Sequence, residues 1–158
     1  MRKRVVGSTG SDAGAESTRG YLDLEQIATV EVTSESPDFP IESVFDLKAN
    51  AGWRALQPGE QCIRLIFDEP VSLKRIYLVF RDSESERTQE IAIRWSSSTG
   101  GASKEILRQR WNFSPSGSTT EIEDLTVDLP SLLMLELSIQ PDVSGSSTLA
   151  SLASWFLS

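Results

Sequence analysis

The chain has 158 residues, of which 39% are hydrophobic and 24% charged, and this size and composition predict one globular domain with a hydrophobic core. Its formal net charge of −8 argues against nucleic acid and against a membrane surface as partners, because both attract clustered Lys and Arg. The chain contains no histidine, which excludes Ser-His-Asp and Cys-His nucleophiles, and no apolar run approaches the roughly 20 residues that cross a bilayer.

The first 20 residues predict a flexible leader, and residues 21–158 the folded domain. Residues 7–20, GSTGSDAGAESTRG, show no apolar periodicity, so burial cannot offset the entropy lost on ordering them. The start MRKRVV is basic, but only two valines follow before a run of Gly, Ser and Thr, so no export signal is recognised. We therefore expect a cytoplasmic location, in agreement with a single cysteine that implies no disulfide.

Eight segments carry alternating or β-branched apolar residues and predict the strands of an all-β sandwich or barrel. In chain order they are 27–33, 61–68, 73–80, 89–95, 104–113, 121–129, 132–140 and 149–157. The sequence EPVS separates the second from the third and predicts a turn. The clearest inward face is formed by Leu133, Leu135, Leu137 and Ile139.

The stretch RQRWNFSPSG closes the fifth of these strands. Strand alternation places two aromatic residues on one face and two arginines on the other; the aromatics are Trp111 and Phe113, and the arginines are Arg108 and Arg110. We expect the aromatics to cap the core. The two arginines and Arg94 are candidates for contact with a partner, and the alternative that they are ordinary solvated charges stays open.

The remaining aromatic, thiol and carboxylate groups have structural interpretations. Trp95 and Trp155 share strand parity with apolar neighbours, and Cys62 lies within a strand pattern, so all three are expected to pack rather than react. Trp53 follows a loop and precedes any strong strand pattern, so it is a candidate for contact with a ligand. The carboxylate pairs are expected to be exposed charges, not glycosidase-type acids; they are Asp82 with Glu84 and Glu121 with Glu123.

Four quoted runs together resemble the discoidin or coagulation-factor type-C domain of the galactose-binding-like superfamily. They are IESVFDLKANAGWRAL, EQCIRLIFDEPVSLKRIYLVF, TQEIAIRWSSS and LELSIQPDVSGSSTLASLASWFL. The matching positions are Phe45-Asp46, Trp53, residues 65–68, Pro70-Val71 and residues 73–78, and the resemblance covers residues 27–158. It implies a single jelly-roll β-sandwich of about eight antiparallel strands, which binds carbohydrate, phospholipid headgroup or protein through loops at one end. For Trp53 the resemblance implies an alternative to ligand contact, in which the side chain packs beneath its loop.

The same resemblance raises the question of calcium, because several members of the family brace a loop with this ion. Asp46 and Asn50 are the candidate ligands here. The chain departs from the family pattern at Leu47, where a glycine is expected, and at Ser154-Trp155, where a glutamate is expected. Calcium requires six to eight oxygen ligands, so calcium binding is considered but not favoured, and no other cofactor is expected.

A sugar site needs an apolar surface for the ring and directional polar partners for the hydroxyls. We predict a site at the loop end of the sandwich, formed by Glu35, Asp46, Trp53, Arg54 and Arg81. The expected function is therefore a non-catalytic carbohydrate-binding module. The alternative is an intracellular protein–protein interaction module of the same fold, which the exposed arginines and the last third of the chain favour. Residues 111–158 contain six acidic residues and no basic one.

Overall fold

The computed structural model describes residues 2–5, 20–48 and 51–158. Within these ranges nearly all regular structure is β-strand, which confirms the all-β prediction. The strands are β1 Arg2–Val5, β2 Ala28–Val32, β3 Trp53–Arg54, β4 Gln61–Arg81, β5 Arg87–Ser96, β6 Lys104–Phe113, β7 Thr120–Gln140, β8 Ser151–Leu152 and β9 Ser154–Leu157. A one-turn helix, α1 Leu24–Ile27, and a 3₁₀ helix, Ile41–Phe45, precede β2 and β3 respectively.

The strands form one large sheet in the order β1-β2-β4-β7-β5-β6, with β9 added on β4, and a small sheet of β3 and β8. The pairing of β1 with β2 is parallel, and the other pairings are antiparallel. The arrangement is that of a β-sandwich, because β4 and β7 are long enough to serve both layers.

Each of these two strands has 21 residues. The first part of β4 pairs with β2 and with the end of β7, whereas its last part pairs with β9 and with the start of β7. Register shifts lie between Ile66 and Arg75, and such bulges bend a strand without ending it. The predicted turn at EPVS is therefore wrong: these residues bend one continuous strand from one layer to the other. In the same way β7 continues through Pro130, between two segments predicted as separate strands.

The core lies between the layers and is continuous. The largest fully buried side chains include Trp53, Trp155, Phe80, Phe113, Ile63, Leu65, Ile76 and Leu78. The predicted inward face of β7 is confirmed at Leu135, Leu137 and Ile139, while Leu133 is half-buried and packs at the edge of the core. Trp155 is buried and Trp95 packs against the core, as the strand parity predicts.

The predicted leader divides into two parts. Arg2–Val5 form β1, which pairs with Ala28–Val32, so a flexible leader is the wrong description of these residues. Residues 6–19 lie outside the described ranges, and the boundary of the domain stays a prediction.

Candidate functional site

A polar cleft of about 470 Å³ lies at the end of the sandwich where β4 ends and where β5 and β7 begin. Its wall combines guanidinium groups, carboxylates and hydroxyls with a single aliphatic side chain. The lining residues are Arg54, Arg81, Arg87, Asp82, Glu84, Ser83, Ser85, Thr119, Thr120, Thr148, Ser151 and Leu149. These groups donate and accept hydrogen bonds in several directions, which is the requirement for a polyhydroxylated ligand.

The loop between β4 and β5 is ordered by Asp82. Its Oδ1 accepts hydrogen bonds from the backbone N–H groups of Glu84, at 2.9 Å, and of Ser85, at 3.1 Å. Its Oδ2 accepts a bond from Nε of Arg87 at 2.7 Å. Burial opposes the charge of Asp82, but the bonds from Arg87 and from the two backbone groups hold its pKa below the ordinary value. The loop is therefore shaped before any ligand arrives.

Arg87 is the structural centre of this end of the sandwich. Its side chain is 2% exposed, and besides Asp82 it donates to Oε1 of Gln89 at 3.1 Å and to the carbonyl oxygen of Pro141 at 2.7 Å. The guanidinium carbon also lies 4.5 Å from the ring centroid of Phe113, a cation–π geometry. Arg87 thus joins the β4–β5 loop to the segment that follows β7.

That second segment, residues 141–150, forms another wall of the cleft and is ordered by its own hydrogen bonds. Oδ1 of Asp142 accepts from the backbone N–H of Ser144 at 3.0 Å and from its hydroxyl at 2.8 Å. The bond from Ser146 and those from Ser144 lower the pKa of Asp142. The N–H of Val143 donates to the carbonyl of Thr88 at 2.8 Å, so this wall is attached to the start of β5.

Glu121 differs from its prediction as an exposed charge. It is fully buried and accepts a hydrogen bond from Nε2 of Gln89 at 3.1 Å. Burial and the neighbouring Glu123 raise the pKa of Glu121 to about 8, so it is mainly a neutral acid at pH 7. Alternation is regular at the start of β7, but it places the acidic Glu121 inward and the apolar Ile122 outward, so residue polarity does not indicate which side of the strand is buried here.

The cleft contains two of the five predicted ligand-binding residues. Arg54, on β3, and Arg81, at the end of β4, both line it, although 27 sequence positions separate them. Arg54 also lies over the ring of Phe39, 4.6 Å from the centroid. Both arginine side chains are exposed, which leaves their guanidinium groups accessible to a ligand.

Two other predicted residues, Glu35 and Asp46, are not part of the cleft. Oε1 of Glu35 accepts a hydrogen bond from the N–H of Ile41 at 2.7 Å, and this carboxylate also contacts Lys3. Oδ1 of Asp46 accepts the N–H of Lys48 at 2.8 Å. Both carboxylates therefore order their own loops rather than the predicted ligand site.

The prediction that Trp53 contacts a ligand is contradicted by its burial. The side chain is 1% exposed, and its indole N–H donates to the carbonyl of Ser34 at 3.1 Å. Trp53 belongs to the core cluster, so its ring face is covered by protein. The alternative, in which this tryptophan packs beneath its loop, is the arrangement that the structure shows.

Sequence reasoning missed most of the lining. The missed residues are Ser83, Ser85, Arg87, Thr119, Thr120, Thr148, Leu149 and Ser151, together with Asp82 and Glu84, for which the sequence predicts exposed charges without a binding role. The sequence carried no signal for them: the loop after β4 and the loop before β7 lie at the same end because β4 and β7 are antiparallel neighbours, and this pairing is seen only in the structure.

The three arginines proposed for partner contact lie on the β5–β6 surface, away from the cleft. Nε of Arg110 is 2.9 Å from Glu90, and Arg108 contacts Glu90 at 3.0 Å and Glu105 at 2.8 Å. Arg94 is 3.7 Å from Glu105. Their charges are largely balanced by neighbours on the two strands, and their contact with a partner stays a prediction.

Metal and thiol chemistry have little support in the part of the chain that the structure describes. No group of three or more His, Cys, Asp or Glu side chains there is placed to hold a metal ion, and the calcium candidate Asn50 lies outside the described ranges. Calcium therefore stays an unfavoured prediction.

Burial raises the pKa of the Cys62 thiol to about 12, which removes the thiolate needed for reactivity. No helix in the same ranges is long and apolar enough to cross a membrane.

Comparison with solved structures finds chains similar to this one over most of its length. The family 32 carbohydrate-binding module of C. perfringens NanJ, in complex with galactose, has 16% identity and a TM-score of 0.60, over 82% of this chain and 92% of that one. CBM32-3 from a family 31 glycoside hydrolase of Clostridium perfringens has 16% identity and a TM-score of 0.64, over 87% and 93%.

A pectin-binding carbohydrate-binding module is also similar, with 18% identity and a TM-score of 0.60, over 84% of this chain and 90% of that one. No protein-family model matches the sequence, and no curated protein matches it either. At such low identity the similarity concerns the fold. The chain has a galactose-binding domain-like fold, as the resemblance in its sequence implies.

Proposed function

We propose that this protein is a non-catalytic carbohydrate-binding module and that the end cleft is its binding site. The observation that carries the proposal is the cleft itself, where two exposed arginines, two carboxylates and several hydroxyls converge on ordered loops. Sugar hydroxyls bind by directional hydrogen bonds, and charged partners make the stronger ones. Because Arg87, Asp82 and Asp142 hold the loops in place, little entropy is lost when a ligand binds.

The fold neighbours support this proposal by analogy. The NanJ module is in complex with galactose, and another neighbour is a pectin-binding module. A fold does not by itself establish a function, so the proposal rests on the cleft, and the neighbours indicate the ligands to try first.

The protein-interaction alternative loses one of its two supports. That support is the acidic last third of the chain, which favours a protein partner through electrostatic complementarity. Several of its carboxylates instead pair with basic residues of β4: Glu136 with Arg64 at 2.7 Å, Asp124 with Arg75 at 2.8 Å, and Asp128 with Lys74 at 2.7 Å. The electrostatic reason for preferring a protein partner is correspondingly weaker.

A glycan array tests the proposal if three forms of the full chain are compared. The wild-type protein is expected to bind at least one glycan with an affinity in the micromolar to millimolar range, on the order of −4 to −8 kcal/mol. The double variant R54A/R81A removes both exposed cleft arginines and is expected to lose at least about tenfold in affinity. R110A removes an exposed arginine on the β5–β6 surface and should bind like wild type. Equal loss in both variants, or no glycan bound by the wild-type protein, contradicts the proposal.

A further inference from the structure

A second surface with a defined chemistry lies at the β2 edge of the large sheet, and its residues are not part of the cleft lining. β1 runs parallel to β2 there, with Lys3 beside Val30 and Arg4 beside Glu31. Neighbouring residues in such a pair point to the same face of the sheet. Because Val30 is fully buried, Lys3 points toward the inside of the sandwich, and Arg2 and Arg4 point outward.

Lys3 enters an acidic pocket formed by two carboxylates. Its side chain is 7% exposed, and Nζ lies 2.5 Å from Oε1 of Glu42 and 3.2 Å from Oε2 of Glu35. Burial opposes the ammonium charge, but the hydrogen bonds to Glu42 and Glu35 raise the pKa of Lys3. The pocket therefore recognises both the charge and the length of a lysine side chain.

The outward arginines contact two further carboxylates. NH1 of Arg4 lies 2.8 Å from Oε2 of Glu31, and NH2 of Arg2 forms an ion pair with Asp68. Each basic residue of β1 therefore has an acidic partner on the body of the sandwich. This edge therefore contacts three successive basic residues, and the side chain of the middle one enters a pocket.

The carboxylates that receive β1 are held in place by the rest of the molecule. Glu35 accepts the backbone N–H of Ile41 at 2.7 Å, and Glu42 follows Ile41 in a 3₁₀ helix whose apolar residues are buried. Glu31 lies within β2 and is also 3.5 Å from Arg64. None of these contacts requires β1, so the acidic edge remains formed when β1 leaves, with the backbone groups of β2 open for pairing.

We propose that this edge is a binding site for an extended basic segment of another polypeptide, one with a lysine between two arginines or lysines, and that β1 occupies it as a competing strand of the same chain. A partner would add a strand to β2 through main-chain hydrogen bonds and would place its lysine between Glu35 and Glu42. This is recognition by strand addition, in which side-chain pockets supply the specificity.

The test uses the full chain and a fluorescent peptide that copies residues 1–6, MRKRVV, followed by anisotropy at low salt. K3E places a third carboxylate in the pocket and should expel β1. We expect the peptide to bind K3E about tenfold or more tightly than wild type, because the tethered strand no longer competes at high effective concentration. Binding should weaken as salt is raised.

Two further variants separate the pocket from general charge attraction. R110E makes the same change in net charge on β6 and should leave peptide binding at the wild-type level. Adding E35Q and E42Q to K3E should abolish the gain, as should a peptide whose lysine is replaced by glutamine. If K3E and R110E bind the peptide equally, or if the triple variant K3E/E35Q/E42Q binds it as tightly as K3E, the proposal is wrong.

Folding and self-association are measured on the same samples. If K3E proves unfolded by circular dichroism, K3A provides the opened edge without the added charge, and the same gain in binding is expected. Failure of every folded Lys3 variant to bind better than wild type overturns the proposal. Light scattering that shows a wild-type dimer, lost in K3E, would instead assign the edge to β1 of a second copy and overturn the proposal of a foreign partner.

Discussion

The backbone conformation of Gly52 determines how closely strand β3 approaches strand β8. Its φ is +70°, and a Cβ built there would lie 2.5 Å from the carbonyl oxygen of Leu152. Only glycine allows β3 to approach β8 this closely. The pairing of Trp53 with Leu152 follows directly, so the backbone at Gly52 helps to bury the tryptophan that the sequence placed near a ligand.

The substitution G52A tests this close approach, with G59A as its matched control. Both glycines have positive φ, but a Cβ at Gly59 meets no atom within 4 Å. We expect G59A to lower the free energy of unfolding by about 1 kcal/mol, the cost of a left-handed alanine, and G52A to lower it by about 3 kcal/mol. Urea unfolding measures both, and equal losses would show that the approach to Leu152 is not constraining.

Glu121 predicts an unusual dependence of stability on pH. Burial raises its pKa from 4.5 to about 8 in the folded protein, so the folded state binds a proton that the unfolded state has released between these values. The protonated Glu121 side chain therefore contributes to the free energy of unfolding. This contribution is fully present below about pH 4.5 and is lost as the pH rises through about 8.

The variant E121Q keeps a neutral side chain that can still accept the bond from Gln89, and it removes the titration. We expect E121Q to be more stable than wild type at pH 8, with the difference shrinking toward pH 5, as measured by thermal unfolding at several pH values. E84Q changes an exposed carboxylate and should leave the wild-type pH profile intact. A difference between E121Q and wild type that is the same at pH 5 and pH 8 would contradict the raised pKa.

At the scale of elements, Arg87 connects two loops that belong to different parts of the chain. Removing this buried charge leaves Oδ2 of Asp82 and the carbonyl oxygen of Pro141 without the hydrogen bonds that Arg87 donates. We expect R87M to lower the free energy of unfolding by about 3 kcal/mol, whereas R81M, at an exposed position, should change it by less than about 0.5 kcal/mol. Chemical unfolding distinguishes them, and a stable R87M protein would mean that the loops are ordered without this contact.

The strand elements were largely predictable because alternation reports the side of a sheet that is buried. The segments predicted at 89–95 and 104–113 correspond to β5 and β6. The bend in β4 was not predictable, since proline and charged residues at EPVS signal a turn or a bulge equally well. β1 was missed because its stability derives from carboxylates distant in sequence, such as Glu35 and Glu42.

At the scale of the whole molecule, the cleft is a product of strand order. Residues 81–85, 87, 119 and 120 meet there because β4, β7 and β5 are adjacent, and the pairing of β3 with β8 adds Arg54 and Ser151. Sequence alone identified Arg54 and Arg81, but it could not show which loops share an end of the sandwich or that Trp53 is buried. The fold was therefore more predictable than the site, because the core leaves a periodic signal and a loop site does not.

Carbohydrate binding in the end cleft is tested most directly by a ¹⁵N–¹H NMR titration of the full chain with galactose and with pectin fragments. We predict that shift changes cluster at residues 81–87, 119–120 and 148–151, and that R54A/R81A abolishes them. The control R110A should reproduce the wild-type pattern. Changes that cluster instead around Arg94, Arg108 and Arg110, or no changes with any sugar, would contradict the assignment of the cleft.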